Sequence, residues 1–290
     1  MISRRTLLTA SLLAGSALLP LRAFAQASDE EIKRQLAALE QKHGGRLGVA
    51  ILDTAIMKQI AWRGDERFPL CSTFKALAAA FTLARVDRGD DTLNNRIVYP
   101  KEYLVTYSPI TEKYAGEAGM TMSEICDAAI TLSDNTAGNL LLDSFGGPAG
   151  LTAYLRTLGD TVTRLDRRET ELNEGIPGDS RDTTSPIAMA ETLRKLLVGD
   201  SLSAKSREQL MAWMIATKTG DKRLRAGLPK DWRVGDKTGT GGHNATNDVA
   251  IIWPTGRAPL IVTAYYVESR GSDDERAAVI AEVGRIAATL

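Results

Sequence analysis

Three short runs of this chain bring together groups that could move protons. Ser72-Thr73-Phe74-Lys75 stands where an extended stretch, Phe68-Pro69-Leu70, gives way to an apolar run rich in alanine. If that run is a helix, Lys75 lies one turn beyond Ser72 on the same face. Ser72 then sits at the positive end of the helix dipole. A neutral lysine so placed can take the serine's proton, provided that burial or a neighbouring cation lowers its pKa. The same residues also suit an ordinary helix start, because serine is a common cap. Ser133-Asp134-Asn135 interrupts a helical stretch, and reads equally as a helix–helix turn capped by Asp134 or Asn135. Lys-Thr-Gly occurs twice. Lys218-Thr219-Gly220 follows a helix, and Gly220 reads as its C-cap. Lys237-Thr238-Gly239 ends an apolar strand, where a backbone can pair with a peptide-like ligand. The second copy is therefore assigned to the site.

Other chemistries are excluded by what the chain lacks. It has two histidines, His43 and His243, and no G-x-S-x-G run. A nucleophile here must be activated by something other than imidazole. A protein-built metal site wants three or four closely spaced ligands, and none is found, so no metal and no cofactor is expected. Two cysteines, Cys71 and Cys126, do not make a disulfide framework in a chain of this size.

The elements that must hold these groups are written in the pattern. Asp29–His43 reads as a helix capped by Ser28, with Ile32, Leu36 and Leu39 as its stripe. Phe74–Val86, two helices between Met122 and Phe145, Pro186–Val198, Ser206–Ile215 and Asp274–Leu290 read as further helices. Arg46–Asp53, Gln59–Arg63, Trp232–Lys237, Asp248–Trp253 and Leu260–Val267 read as strands. Arg164–Asp182 is a long charged loop without a period, of the kind that is usually functional or disordered. There is no internal repeat. Strands at both ends and helices between them predict an α/β (α+β) sandwich. Its five-stranded, mainly antiparallel sheet is covered by the terminal helices, and a helical subdomain is inserted in it. The expected division is 26–66 with 216–290 as the α/β part and 67–215 as the helical part, including the loop 164–182.

The chain opens with Arg4-Arg5, an apolar run from Leu7 to Leu19, and Ala23-Phe24-Ala25, which reads as a cleavable signal peptide over residues 1–25. Ser3-Arg4-Arg5-Thr6-Leu7-Leu8 resembles a twin-arginine export signal, but paired arginines also occur in general secretory signals. A periplasmic location is expected, with no membrane association after cleavage. Acidic and basic residues number 36 each, so no net field draws the protein to nucleic acid.

In order and together, the three motifs resemble those of the class A serine β-lactamases. Arg167-Arg168-Glu169-Thr170-Glu171-Leu172-Asn173 resembles that family's omega loop, and Tyr107-Ser108-Pro109 and Asp182-Thr183-Thr184 stand where the family has similar residues. The likeness runs from about Leu36 to Leu290. It implies a monomer that hydrolyses the amide bond of β-lactam antibiotics, penicillins and cephalosporins, through an acyl-enzyme, and so confers resistance. It implies Ser72 as nucleophile, with the N–H groups of Ser72 and Thr240 as oxyanion hole. Ser133 would relay a proton to the leaving nitrogen. Lys237, Thr238 and Thr240, on the strand with Gly239, would hold the substrate carboxylate. Asn135 would bind the acyl side chain and Tyr107 would wall the site. Lys75 would deprotonate Ser72 directly, or assist Glu169 acting through water. Glu169 and Asn173 would hold the water that attacks the ester, Asn139 would steady Glu169, and Arg167 would pair with Asp182. An ester on Ser72 is stable unless a base activates water on it.

The sequence departs from the family in four places. Where many members carry an arginine on the strand after K-T-G, this chain has Thr246; Arg223 is expected to supply that charge. Thr170 replaces a proline that follows a cis bond, and a cis or strongly twisted Glu169–Thr170 peptide is expected. The partners that bridge the family's cysteines are Ala79 and Gly241 here, so Cys71 and Cys126 are expected as buried free thiols. Thr240-Gly241-Gly242 suggests a roomy strand edge able to accept cephalosporins. Three other readings share parts of the pattern: a D,D-peptidase of the penicillin-binding type, an acylated β-lactam sensor without turnover, and a serine-dependent glutaminase. The Glu169 loop argues against the peptidase and the glutaminase. A sensor would be tethered to a membrane transducer, and only a removable signal is seen.

Overall fold

The computed structural model describes residues 27–290; the expected signal peptide, residues 1–25, lies outside the described residues. Helix α1, Asp29–His43, starts where the Ser28 hydroxyl accepts the Glu31 N–H. Three acidic residues in its first turn complement the helix dipole. It ends at Gly44, φ +67°, a conformation that glycine adopts without a Cβ clash. Strands β1, Arg46–Asp53, and β2, Lys58–Trp62, form a hairpin. Two residues of strand β3, Phe68–Pro69, lead through a tight turn at Cys71–Thr73 into helix α2, Phe74–Arg88.

Strands β4, Arg96–Tyr99, and β5, Gly116–Thr121, form a small ladder ahead of helix α3, Met122–Thr131. A capping box between Thr121 and Glu124 opens α3. Helix α4, Asn135–Ser144, is capped by Asp134, and helix α5, Gly147–Thr157, carries proline in its first turn. Strand β6, Thr183–Thr184, pairs with β3. Helices α6, Pro186–Leu197, α7, Ala204–Ile215, and the one-turn α8, Leu224–Gly227, follow. Strands β7, Arg233–Thr240, β8, Thr246–Trp253, and β9, Leu260–Val267, precede the closing helix α9, Asp273–Ala287.

The main sheet has the order β2-β1-β9-β8-β7, antiparallel at every step. Placing β9 beside β1 joins the two ends of the chain, and β7 is left as an edge. Both faces are buried. Leu47, Val49 and Ile51 of β1 face a core with Ile32 and Leu36 of α1 and Val279, Ile280 and Val283 of α9. Ala50 and Leu52, one residue out of phase, face a second core with Phe74 and Leu77 of α2 and the other helices of the middle segment. Truncating a fully buried residue such as Ile51 to alanine would cost about 2–5 kcal/mol.

The structure differs from the sequence reading in instructive places. The middle segment carries two short ladders, β3–β6 and β4–β5, as well as helices. Helix α5 was not anticipated; Gly146 precedes it and Pro148 stands in its first turn. The third strand does not stop at Lys237: β7 runs on to Thr240 and holds the whole Lys-Thr-Gly run. Gly220 is not a helix cap, since α7 ends at Ile215 and Ala216 caps it. A Cβ on Gly220 would lie 1.9 Å from Asp236 Oδ2, so glycine there permits close approach to β7.

Candidate active site

The nucleophile candidate sits on the turn between β3 and α2. The Leu70 N–H donates to the Asp182 carbonyl at 2.8 Å, and Cys71 takes φ +45°, which turns the chain into the helix. Ser72 is buried at the N-terminal mouth of α2. Lys75, one turn on, is fully buried and donates to Ser72 Oγ at 2.9 Å, the Ser133 carbonyl at 2.8 Å and Asn135 Oδ1 at 2.6 Å. Its ammonium also stands 2.9 Å from Glu169 Oε1. Burial lowers the Lys75 pKa, against the pull of the Glu169 charge. Space for this side chain comes from Gly138, where a Cβ would meet Lys75 Cε at 2.8 Å.

Ser133 faces Ser72 from the loop before α4, in a left-handed conformation at φ +58°. Asp134 beside it is wholly buried and acts as a hub. Its oxygens accept the N–H groups of Ile110, Thr111 and Ala137 and the Thr111 hydroxyl, at 2.8–3.0 Å. This fixes the Tyr107–Thr111 loop to α4. The Asn135 N–H donates to the Tyr107 carbonyl at 3.0 Å. Lys237 donates to Ser133 Oγ at 2.9 Å and to the Thr238 carbonyl at 2.8 Å. Its pKa is driven well down, first by burial and then by the neighbouring Lys75 charge. Ser133 thus touches one lysine through its carbonyl and another through its hydroxyl.

The loop 164–182 closes the third side. Asn139 of α4 grips Glu169 at both backbone atoms: its Oδ1 accepts the Glu169 N–H at 2.9 Å and its Nδ2 donates to the Glu169 carbonyl at 3.0 Å. The Glu169–Thr170 peptide is cis. Asn173 Nδ2 donates to Glu169 Oε2 at 2.5 Å, and Ser72 Oγ donates to Glu169 Oε1 at 3.3 Å. At the loop's base Arg167 Nε donates to Asp182 Oδ2 at 2.6 Å, and Asp182 Oδ1 accepts the Asp166 and Arg167 N–H groups at 2.7 and 2.9 Å. A cluster not foreseen from the sequence joins Arg168, Asp143 and the Tyr103 hydroxyl on the loop's outer side.

The expected open edge at Gly241-Gly242 is not found. A Cβ on Gly241 would lie 2.7 Å from both the Asn173 carbonyl and Cys71 Sγ, and one on Gly242 would lie 2.3 Å from the Glu174 carbonyl. The Gly242 N–H donates to the Asn173 carbonyl at 2.7 Å. These glycines let the loop pack directly on the end of β7, and that packing takes up the room. Cys71 and Cys126 are both free and buried.

Between these walls lies a cleft of about 320 Å³. Ser72, Tyr107, Ser133, Asn135 and Asn173 line it together with Thr238, Thr240 and Arg223. Lys75, Glu169 and Lys237 stand buried behind Ser72, Asn173 and Ser133. Arg223 Nη1 donates to the Gly239 and Asn247 carbonyls at 2.7 and 2.6 Å, and Nη2 to Thr240 Oγ1 at 2.7 Å. Thr246, where an arginine was missing, is buried and accepts a hydrogen bond from Arg276 Nε at 3.1 Å. Thr219, from the copy of Lys-Thr-Gly set aside above, also lines the cleft, its hydroxyl 2.6 Å from that of Thr238. The repeated tripeptide was the only sequence signal for it. A second cavity of about 360 Å³ lies behind the loop. Three of its arginines are already ion-paired, Arg46 with Glu66 and Glu268, Arg167 with Asp182, Arg181 with Asp179, and Arg67 donates to the Val162 carbonyl and the Thr183 hydroxyl.

Residues 31–289 match the model of the β-lactamase enzyme family. The chain is 46% identical over 284 residues to a β-lactamase of Citrobacter koseri, covering 98% of this chain and 96% of that one. It is 48% identical over 270 residues to the carbapenem-hydrolysing β-lactamase KPC of Klebsiella oxytoca, covering 92% of each. Among solved structures it is similar to an ancestral (GNCA) class A β-lactamase, at 68% identity and a TM-score of 0.87, over 88% of this chain and 98% of that one.

Proposed function

The chain belongs to the β-lactamase enzyme family as a class A serine enzyme, and from that premise we propose how its residues carry out the hydrolysis of β-lactams. Ser72 Oγ attacks the lactam carbonyl. Its proton passes to Lys75, whose pKa burial lowers, or through water to Glu169. The N–H groups of Ser72 and Thr240 receive the oxyanion. The ring C–N bond breaks as Ser133 hands its proton to the nitrogen and takes in its place the proton that left Ser72, with Lys237 at 2.9 Å to steady the serine oxygen. Glu169, with Asn173, then takes a proton from a water that attacks the ester. The tetrahedral adduct collapses, Ser72 recovers its proton, and the ring-opened acid leaves. Lys237, Thr238, Thr240 and Arg223 bind the substrate carboxylate, with Gly239 in the strand between them. Asn135 takes the acyl amide and Tyr107 walls the cleft. Asn139, Arg167 and Asp182 hold the loop.

The observation that carries this reading is Glu169, whose one oxygen lies 3.3 Å from the nucleophile while Asn139 and Asn173 fix the rest of the residue. A group so placed releases the acyl chain as well as helping to form it. The cleft lies where the α/β part, 26–66 and 216–290, meets the helical part, 67–215. Penicillins and cephalosporins are the proposed substrates. Export to the periplasm by either signal route, and action as a monomer, complete the proposal; no helix among the described residues is long and apolar enough to cross a membrane. The test is to mix the purified protein with a chromogenic cephalosporin and follow many turnovers. Acylation at one equivalent without turnover would refute hydrolysis and favour a D,D-peptidase or a sensor.

A further inference from the structure

Asn247, the second residue of β8, is a polar side chain with no exposure to solvent. It lies directly opposite Gly239 of β7, and directly opposed residues share a face of the sheet. That face is pressed against the nucleophile turn: a Cβ on Gly239 would lie 2.9 Å from the Leu70 carbonyl and 3.2 Å from Cys71 Cβ and Thr73 Cγ2. Because Gly239 has no side chain, the amide of Asn247 reaches past it. Its Nδ2 donates to the Pro69 carbonyl at 2.9 Å and the Leu70 carbonyl at 3.4 Å. These carbonyls immediately precede Cys71, whose φ of +45° aims Ser72 into the cleft. A non-glycine residue holds a left-handed conformation only when its surroundings fix it. The Asn247 backbone carbonyl meanwhile accepts Arg223 Nη1 at 2.6 Å.

We propose that Asn247 is a positioning residue that sets the nucleophile turn and Arg223 in one frame, so that the serine and the charge on the carboxylate end keep a fixed separation. This rests on the reading of Ser72 and Arg223 given above. Asn247 Oδ1 is buried and accepts no hydrogen bond from the protein. Only the donors of this amide are used, and both point at carbonyls. Aspartate has the same shape but at most the single donor of a protonated carboxyl in place of two N–H groups, so it would leave one of the two carbonyls facing a carboxyl oxygen and loosen the turn.

The test compares Asn247→Asp, Asn247→Ser and Arg223→Ala with the wild type, well below their melting temperatures. Two quantities are read: kcat/KM for a chromogenic cephalosporin, and the Ki of phenylboronic acid, which bonds to a serine Oγ and carries no carboxylate. Displacing a reacting atom by about 1 Å costs roughly a hundredfold. Asn247→Asp should therefore lose about a hundredfold in kcat/KM and bind the boronate at least about tenfold more weakly. Asn247→Ser should lose less in both. Arg223→Ala should lose kcat/KM and keep its boronate Ki. A purely structural role would lower the melting temperature of the Asn247 variants and leave the boronate Ki alone. Folded Asn247 variants with wild-type Ki would overturn the proposal; if the aspartate variant fails to fold, the serine variant decides. A wild type inert toward the cephalosporin would sink the hydrolase reading, while the boronate Ki would still report on Asn247.

Discussion

Replacing Arg223 by alanine tests the charge at the carboxylate end of the cleft. Its guanidinium spends three N–H groups on Gly239, Asn247 and Thr240. The bond to Thr240 Oγ1 leaves that hydroxyl's own proton free to donate to a ligand. A guanidinium about 4 Å from a carboxylate gains about 4 kcal/mol at an effective dielectric of 20. The cleft is open and Lys237 remains, so about half of that is expected to be lost, some 2 kcal/mol or roughly thirtyfold in kcat/KM. The assay compares a cephalosporin with its methyl ester, which lacks the carboxylate charge. The wild type should prefer the free acid, and Arg223→Ala should reduce that preference roughly thirtyfold. The variant should also lose about 1–2 kcal/mol of stability, because two strand carbonyls lose a donor. Arg223→Lys should restore only part, since a single ammonium cannot span three acceptors in that fork. If both substrates slow by the same factor, Arg223 holds the strand and does not recognise the carboxylate.

The remaining predictions concern other buried groups. Glu169→Gln should cut kcat by about 10²–10⁴ and accumulate an acyl adduct on Ser72 visible by intact mass spectrometry; near-normal turnover would remove Glu169 from deacylation. Asp248 is fully buried, and burial followed by the Asp236 charge raises its pKa well above the ordinary range, against the pull of Arg223 and Lys237. Across that window the folded state holds a proton that the unfolded chain has released, so stability should fall as pH rises above about 4, by at most about 1.4 kcal/mol per unit. Asp248→Asn should flatten that fall in urea titrations at mildly acid and mildly alkaline pH, and an unchanged slope would refute it. Burial pushes the Cys71 thiol up to about 12 and raises that of Cys126 as well. Neither should react with a disulfide reagent until the protein is unfolded, and rapid labelling of the native protein would contradict the packing around them.

Much of the fold was legible because its signals are local. Ser28 caps α1, Asp134 caps α4, and the apolar stripes fall where a helical period puts them, since backbone hydrogen bonding repeats within a few residues. The five strands announce themselves as apolar runs, and the Ser72–Lys75 contact follows from one helical turn. Their roles came from the motifs taken in order, not from any one of them. The sequence misled at Gly220, read as a helix cap, and at Gly241-Gly242, read as an open edge. A glycine's use depends on what approaches it.

The three motifs were written in the sequence; how they meet was decided only by the folded chain. Ser72 meets Glu169 across 97 residues, and Lys237 meets Ser133 across 104. Asn247 shares a face with Gly239 because β7 and β8 pair in one register, and a slip of one residue would turn its amide away from Leu70. Thr219 reaches the cleft because Gly220 allows its segment to lie against β7. Local periodicity fixes which side chains share a turn or a strand face. Which faces then come together depends on strand order and on close packing, and these are properties of the whole core.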